Sequence, residues 1–263
     1  ITFVEDVWMG AGAFGNSLEY FVRGLELGNA VFTEFEGDEN NFHIMKNKII
    51  DMGAGLERLS WITMGTPTSY DCSFGPVIEA LTSITGTNNH PEVIGKYFEI
   101  MSGKIGEDHV MLNSSSGTRS INPVRSVIAK NMGMPEDKLA RIISPYEAIY
   151  TVADHARTLL FAIADGSLPS NVGGGYNLRI ILRRSLSILE RMGWNDLKLS
   201  TVTDLHIDYL RQMYPELEEH RDDIKTILEI ESERYLGSKE RMNALATYIR
   251  KADKKLTIDD LIK

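Results

Sequence analysis

The sequence predicts an α+β fold, with an antiparallel sheet of short strands first and an all-α part after it. Two observations carry this. Up to about residue 60, runs of aromatic and β-branched residues alternate with glycines and other turn formers, as hairpin-linked strands do. From Pro145 onward the apolar residues recur at helical spacing, without strand-like alternation.

Taken in order, residues 17–21, 29–35 and 42–45 read as strands, and Ile49 and Ile50 as the end of another. That strand runs into Asp51, Met52, Gly53, Ala54 and Gly55, where two glycines permit a tight turn. A helix starts near Leu56, with Leu56, Leu59 and Ile62 on one face and Arg58 pointing away from it. Gly65, Thr66 and Pro67 break it. Residues 76–84 form another helix, stopped by Gly86 and a turn at 88–91. Residues 104–123 are rich in serine and glycine and read as a long polar loop. Helices are then expected over 149–164, 177–192, 205–214, 222–236 and 241–251, with a compact loop at 168–175. Gly193 closes the second of these in the usual C-terminal position. The expected division is 1–72 for the sheet-bearing part and 73–263 for the helical part.

Composition narrows the function. A chain of 263 residues with 43% hydrophobic and 25% charged residues can bury a core or two. Its net charge of −9 excludes binding nucleic acid through overall charge, so any RNA contact needs a local basic patch. The single cysteine, Cys72, builds neither a disulfide framework nor a thiolate metal site and fits a reducing cytoplasm. No run of about 18 apolar residues predicts a membrane span. The start, on Ile1 rather than methionine and without a signal-peptide pattern, reads as a fragment or processed piece.

The sharpest motif is Asp51-Met52-Gly53-Ala54-Gly55-Leu56-Glu57-Arg58. A glycine-rich turn before a helix exposes backbone N–H groups where the helix dipole favours an anion, and an arginine just inside can fork onto phosphate. An ordinary strand–turn–helix with a solvated arginine fits the octapeptide equally well. The surrounding residues decide. Gly-x-Gly-Leu-Glu-Arg after a strand resembles motif 3 of class II aminoacyl-tRNA synthetases. Glu5-Asp6-Val7-Trp8 with Gly10, Gly12 and Gly15, and Glu26-Leu27-Gly28-Asn29-Ala30-Val31-Phe32, resemble segments of the alanyl-tRNA synthetases, archaeal type. Where many members carry Gly-Pro-Cys, this chain has Gly12-Ala13-Phe14-Gly15-Asn16-Ser17. The resemblance implies the C-terminal part of a class II catalytic sheet. In it Arg58, with Gly53 and Gly55, binds the terminal phosphate of ATP carried with Mg2+. Trp8 walls the alanine pocket, Asn29 bonds the alanine carboxylate or its surroundings, and Asp51 takes the ammonium. The duller readings are a core tryptophan, a strand-end asparagine and a capping aspartate.

In the helical half, Ala153-Asp154-His155-Ala156-Arg157, then Ala164-Asp165-Gly166-Ser167-Leu168-Pro169-Ser170-Asn171, then Gly175-Tyr176-Asn177-Leu178-Arg179 with Arg183-Arg184, resemble the same family's tRNA-recognition block. The resemblance implies that Asn171 reads the G3·U70 acceptor-stem pair of tRNA(Ala) across the shallow minor groove, and that Arg179, Arg183 and Arg184 form the basic patch. A solvated helix face is the duller reading of those arginines. His155 beside Asp154 is read as structural, because adjacent helical residues point apart and no nucleophile pairs with them. No catalytic residue and no metal ligand is assigned, and zinc is not expected. Motifs 1 and 2, the editing domain and the family's second G·U reader are not found in this sequence. The expectation is therefore a piece of an alanine-activating, tRNA-charging ligase that needs its remaining portions for activity. The alternatives are a tRNA-binding module without catalysis and an acidic helical interaction protein.

Overall fold

The computed structural model describes residues 1–38, 40–88, 90–107 and 122–252. These fall into two compact units. One comprises Ile1–Ser73 with the helix that starts at Pro91, and the other Phe74–His90 with the helices from residue 122 onward.

The first unit is a four-stranded antiparallel meander of β1 (Thr2–Gly10), β2 (Ala13–Val22), β3 (Leu25–Gly37) and β4 (Phe42–Ala54), in sequential order. It also holds α1 (Leu56–Met64) and α2 (Ser69–Ser73). The β1–β2 turn places Ala11 and Gly12 at positive φ, and the β2–β3 turn does the same with Arg23 and Gly24. Such two-residue turns match the twist of the strands they join. The expected pieces at 42–45 and 49–50 are one strand, and β1 is a strand that short-window reasoning passes over. β1 is an edge strand with eight of its nine residues exposed, so it lacks the half-buried alternation that marks a strand in sequence.

The turn expected at Gly53 and Gly55 is absent. β4 runs through Gly53 and Ala54, and Gly55 alone separates it from α1. The Gly55 N–H donates to the Leu27 carbonyl at 3.0 Å, which extends the ladder instead of leaving that amide for a ligand. The apolar face expected of α1 is also not buried: Leu56 is 73% exposed.

Two bulges shift the β2–β3 register, one between Phe14 and Gly15 and one between Tyr20 and Phe21. Gly15 is required at the first, because a Cβ there would stand 1.9 Å from the Phe32 carbonyl oxygen.

The helix α3 (Pro76–Ile84) lies where the sequence predicts it. α4 (Pro91–Glu107) groups with the first unit. The polar loop expected over 104–123 overlaps the end of α4 and the start of α5 (Asn122–Asn131); the residues between lie outside the described set. α6 (Glu136–Ala164) forms the centre of the second unit. It runs straight through Pro145 and begins 13 residues before the predicted start at 149. Proline removes one helical hydrogen bond. Burial on both sides of it offsets that loss, since Leu139 and Ile143 before it and Ile149 after it are essentially inaccessible. Against α6 pack α7 (Gly173–Arg191), α8 (Leu199–Leu210), α9 (Glu216–Glu219) and α10 (Arg221–Ala252). α10 is one helix where the sequence suggests two, because Gly237 is tolerated in its interior. Among the described residues no helix is long and apolar enough to cross a membrane.

Candidate functional site

The first candidate site is one face of the sheet. Directly paired residues in an antiparallel sheet project to the same side. The register therefore lays out four rows: Thr2, Phe21 and Glu26; Val4, Glu19, Asn29 and Gly53; Asp6, Ser17, Val31 and Asp51; Trp8, Gly15, Thr33 and Ile49. Asn29, Asp51 and Trp8 thus share a face. Asn29 and Asp51 stand on neighbouring strands in neighbouring rows, whereas Trp8 stands three strands from Asp51, about 14 Å across the sheet.

Glycines make this face work sterically. A Cβ on Gly53 would lie 2.9 Å from Asn29 Oδ1, so the absent side chain makes room for the asparagine amide. The Trp8 indole folds back over Gly10, where a Cβ would come within 2.7 Å of the ring. The Asp51 side chain is exposed and forms no ion pair among the described residues.

Arg58 closes the end of the face beyond Asn29. Its Nη1 donates to Glu26 Oε2 at 2.8 Å and to the Glu26 carbonyl at 3.2 Å. Glu26 is a site residue that sequence reasoning quotes but does not assign; the signal was its place three residues before Asn29. Gly55 sits against the Arg58 stem, where a Cβ would meet Arg58 carbons at 3.0–3.3 Å. The two motif glycines thus act here as space for Asn29 and Arg58. The first N–H groups of α1 beside them are the orphan donors that every helix start presents.

The second candidate site is the loop between α6 and α7 in the helical unit. The Ser170 N–H donates to the Gly175 carbonyl at 2.9 Å, and Ser170 Oγ donates to the Val172 carbonyl at 2.9 Å. Gly175 must be glycine, because a Cβ there would stand 2.4 Å from Ser170 Oγ and 2.5 Å from the Leu168 carbonyl oxygen. This folding holds Asn171 at the surface.

Arg179, expected on RNA, is spent inside the fold. Its side chain is 14% exposed. Nε and Nη2 donate to the two carboxylate oxygens of Glu231 on α10 at 2.9 Å each, Nη2 also donates to the Pro169 carbonyl at 3.0 Å, and Nη1 donates to Asn171 Oδ1 at 2.5 Å. Arg179 therefore ties α7, α10 and the loop together and fixes the Asn171 amide, leaving its NH2 group and one lone pair for a ligand. Burial pushes the Glu231 carboxyl up, but hydrogen bonds from Arg179 and Arg234 prevail and hold it below the usual range. Arg183, one turn on from Arg179, is exposed and has no hydrogen bond or ion pair among the described residues. Arg184 lies near His155, whose protonation it opposes.

His155 does have a hydroxyl partner. Its Nδ1 stands 3.0 Å from Ser185 Oγ, a serine with no accessible surface whose hydroxyl donates to the Ile181 carbonyl at 2.9 Å. With its proton committed and no route for a substrate, Ser185 is no nucleophile, and the pair serves as an α6–α7 clasp. Burial, partly countered by Asp154, keeps His155 deprotonated to lower pH than usual. Among the described residues no group of three or more His, Cys, Asp or Glu side chains is placed to hold a metal ion.

Known proteins agree with the family resemblance. The chain is 49% identical over 262 residues to an alanine–tRNA ligase of Nitrosopumilus maritimus and 48% identical over 262 residues to one of Cenarchaeum symbiosum. It is 38% identical over 264 residues to one of Methanocella arvoryzae. Each match covers 100% of this chain but only 28%, 28% and 29% of the relative. The chain thus spans under a third of the length of these proteins. The profile of the family described as tRNA synthetases class II (A) matches residues 111–263, more than half of the chain. On that match, and with the α+β fold that the four-stranded sheet and the helices make, the chain belongs to the class II (A) tRNA synthetases.

Proposed function

We propose that this chain is the part of an alanine–tRNA ligase that holds alanine and the phosphate end of ATP on its sheet and reads the tRNA acceptor stem with its helical unit. The observation that carries the first half is the common face of Asn29, Asp51 and the Arg58–Glu26 pair. In this reading the free Asp51 carboxylate takes the alanine ammonium in a charge-assisted hydrogen bond, and the Asn29 amide lies beside the alanine carboxylate. Trp8 bounds the face at the outer strand. Arg58 exchanges the Glu26 carboxylate for the terminal phosphate, a swap of one anion for another that its exposed position permits. Mg2+ arrives on the ATP phosphates. The alanine carboxylate attacks the α-phosphorus, expelling pyrophosphate, and a hydroxyl of the tRNA 3′ end then attacks the alanyl carbonyl of the adenylate, breaking its bond to the phosphate oxygen and releasing AMP. The portions of the ligase beyond this chain supply the arginine for the α-phosphate.

For the helical unit, the reading is that Asn171 meets the guanine amino group of G3·U70 in tRNA(Ala), with Arg183 on the adjoining backbone. The Arg179 clamp on Asn171 supports it: a loop asparagine held by a buried ion pair is preorganised for a ligand. A cytoplasmic location goes with this activity.

The test is alanine-dependent ATP–pyrophosphate exchange, run on this chain and on a version with the preceding part of the relatives' length restored. Exchange in the longer protein alone is expected. No exchange in either overturns the enzyme reading. Gel shifts with acceptor stems carrying G3·U70 or G3·C70 test the helical half, and a shift with neither overturns it.

A further inference from the structure

The groove between α7 and α10 beside Asn171 has a volume of about 670 Å³ and is walled by arginines from both helices. Arg183 comes from α7, and Arg234 and Arg241 come from α10. The floor between the two α10 arginines is Gly237 and Ser238, small enough to let a strand approach the helix backbone. Residues 230, 234, 237, 238 and 241 follow helical spacing, so they form one stripe of α10 facing the groove.

Charge decides what fits. The buried Glu231 offsets Arg179, and Glu233 offsets one of Arg183, Arg234 and Arg241, which leaves two cations in excess. This is a local cationic concavity on a chain of net charge −9. Each α10 arginine is anchored through one nitrogen to its own helix. Arg234 Nη1 donates to Glu231 Oε1 at 2.7 Å, and Arg241 Nη2 donates to Ser238 Oγ at 3.3 Å. They lie seven positions apart, about 10.5 Å along the helix, far enough to face separate phosphates of one strand.

The geometry points to this groove as a binding site for the sugar–phosphate backbone of the RNA strand whose base pair Asn171 reads, with Arg234 and Arg241 as phosphate ligands. The inference rests on the acceptor-stem reading above and adds α10 to it. Phosphate contacts fix position and carry no sequence information, whereas a base contact carries information and little salt dependence. The two roles therefore separate experimentally.

The experiment measures the affinity of the 263-residue chain for an acceptor-stem duplex with G3·U70 and for its G3·C70 counterpart, across a salt series. Arg241→Gln, whose side chain is exposed and bonds only to Ser238 among the described residues, is the primary variant. It is expected to lower the slope of log affinity against log salt by about one, equally for both duplexes. Arg234→Gln, which leaves Glu231 paired to Arg179, is expected to do the same, and the double variant to lower the slope by about two. Asn171→Ala is expected to change the ratio between duplexes and leave the slope alone. Unchanged slopes in both arginine variants, with wild-type binding intact, overturn the groove assignment alone. A loss confined to G3·U70 overturns the backbone role. No binding by the wild-type chain at low salt overturns the acceptor-stem reading itself.

Discussion

Replacing Arg179 with methionine removes a guanidinium that makes four hydrogen bonds and strands Glu231, 4% exposed, with Arg234 as its sole cation. Removing one partner of a buried ion pair costs about 3–5 kcal/mol, chiefly because the remaining charge stays desolvated. Arg234 still reaches Glu231 at 2.7 Å, so the lower end applies, about 3 kcal/mol. For a unit of this size that lowers the thermal midpoint by roughly 6–12 °C. The double variant Arg179→Met with Glu231→Leu behaves differently. It removes both buried charges and fills their volume with apolar groups, a replacement that is often neutral or stabilising. Arg234, with its side chain 62% exposed, hands its lost bond to water. The double variant is expected to regain most of the midpoint while leaving Asn171 without its clamp. Its preference for G3·U70 should therefore fall by about 1 kcal/mol, roughly fivefold, in a fold of near wild-type stability. Circular-dichroism melts and duplex affinities check the two halves. A double variant as unstable as the single one refutes the desolvation argument, and an unchanged preference refutes the clamp.

Asn171→Ala is expected to cost about 1–3 kcal/mol of discrimination between the two duplexes with no change in melting; equal preference before and after contradicts the reader assignment. In the longer protein, Gly53→Ala puts a methyl 2.9 Å from Asn29 Oδ1 and swings that amide away. The expected result is a higher KM for alanine in pyrophosphate exchange with the KM for ATP unmoved, and a change in the ATP constant instead would remove Asn29 from the alanine site. His206 sets the pH dependence. It has no accessible surface, and its Nε2 donates to the Ala153 carbonyl at 2.9 Å, while Nδ1 has no partner among the described residues. Burial lowers its pKa to about 4, against the opposing Ala153 bond and with help from Arg157. Above about pH 6.5 the ring is neutral folded and unfolded alike; below it the unfolded chain alone binds the proton, so stability falls as pH falls until about pH 4. The loss is on the order of 3 kcal/mol, and His155 moves the same way. Glu231, held low, loses its contribution only below the ordinary carboxylate range, in a separate window. Melts at pH 7.5 and 5 should show the decline, and His206→Gln, which keeps the Ala153 bond, should flatten it; parallel declines in both proteins would exonerate His206.

Local pattern carried the sheet-then-helices order, α3 and the motif residues, because each depends on neighbours in sequence. It failed where a distant contact decides. The helical pattern reads only from 149, after Pro145, yet α6 starts at Glu136, and buried residues on both sides of the proline keep it continuous. Gly53 and Gly55 read as turn formers, yet Leu27 and Asn29, more than twenty residues earlier, draw them into the ladder. The stripe of Arg234, Gly237, Ser238 and Arg241 went unseen because Gly237 splits it when α10 is read as two helices.

The division of labour between Arg179 and Arg183 shows the limit most sharply. The two are the same residue type, four positions apart on one helix, and motif reading gives them one role. Among the described residues, Arg179 is bound on three sides and Arg183 has no hydrogen bond or ion pair. Glu231, 52 residues later, makes the difference, and only the fold brings it there. A buried carboxylate cannot be left alone, so Glu231 takes the Arg179 guanidinium, which in turn fixes Asn171. The basic patch that an acidic chain needs to touch RNA is consequently smaller on α7 than the sequence suggests. Arginines from α10 restore the deficit, which is why the salt dependence of Arg241→Gln, and not that of Arg179→Met, reports on the phosphate strand.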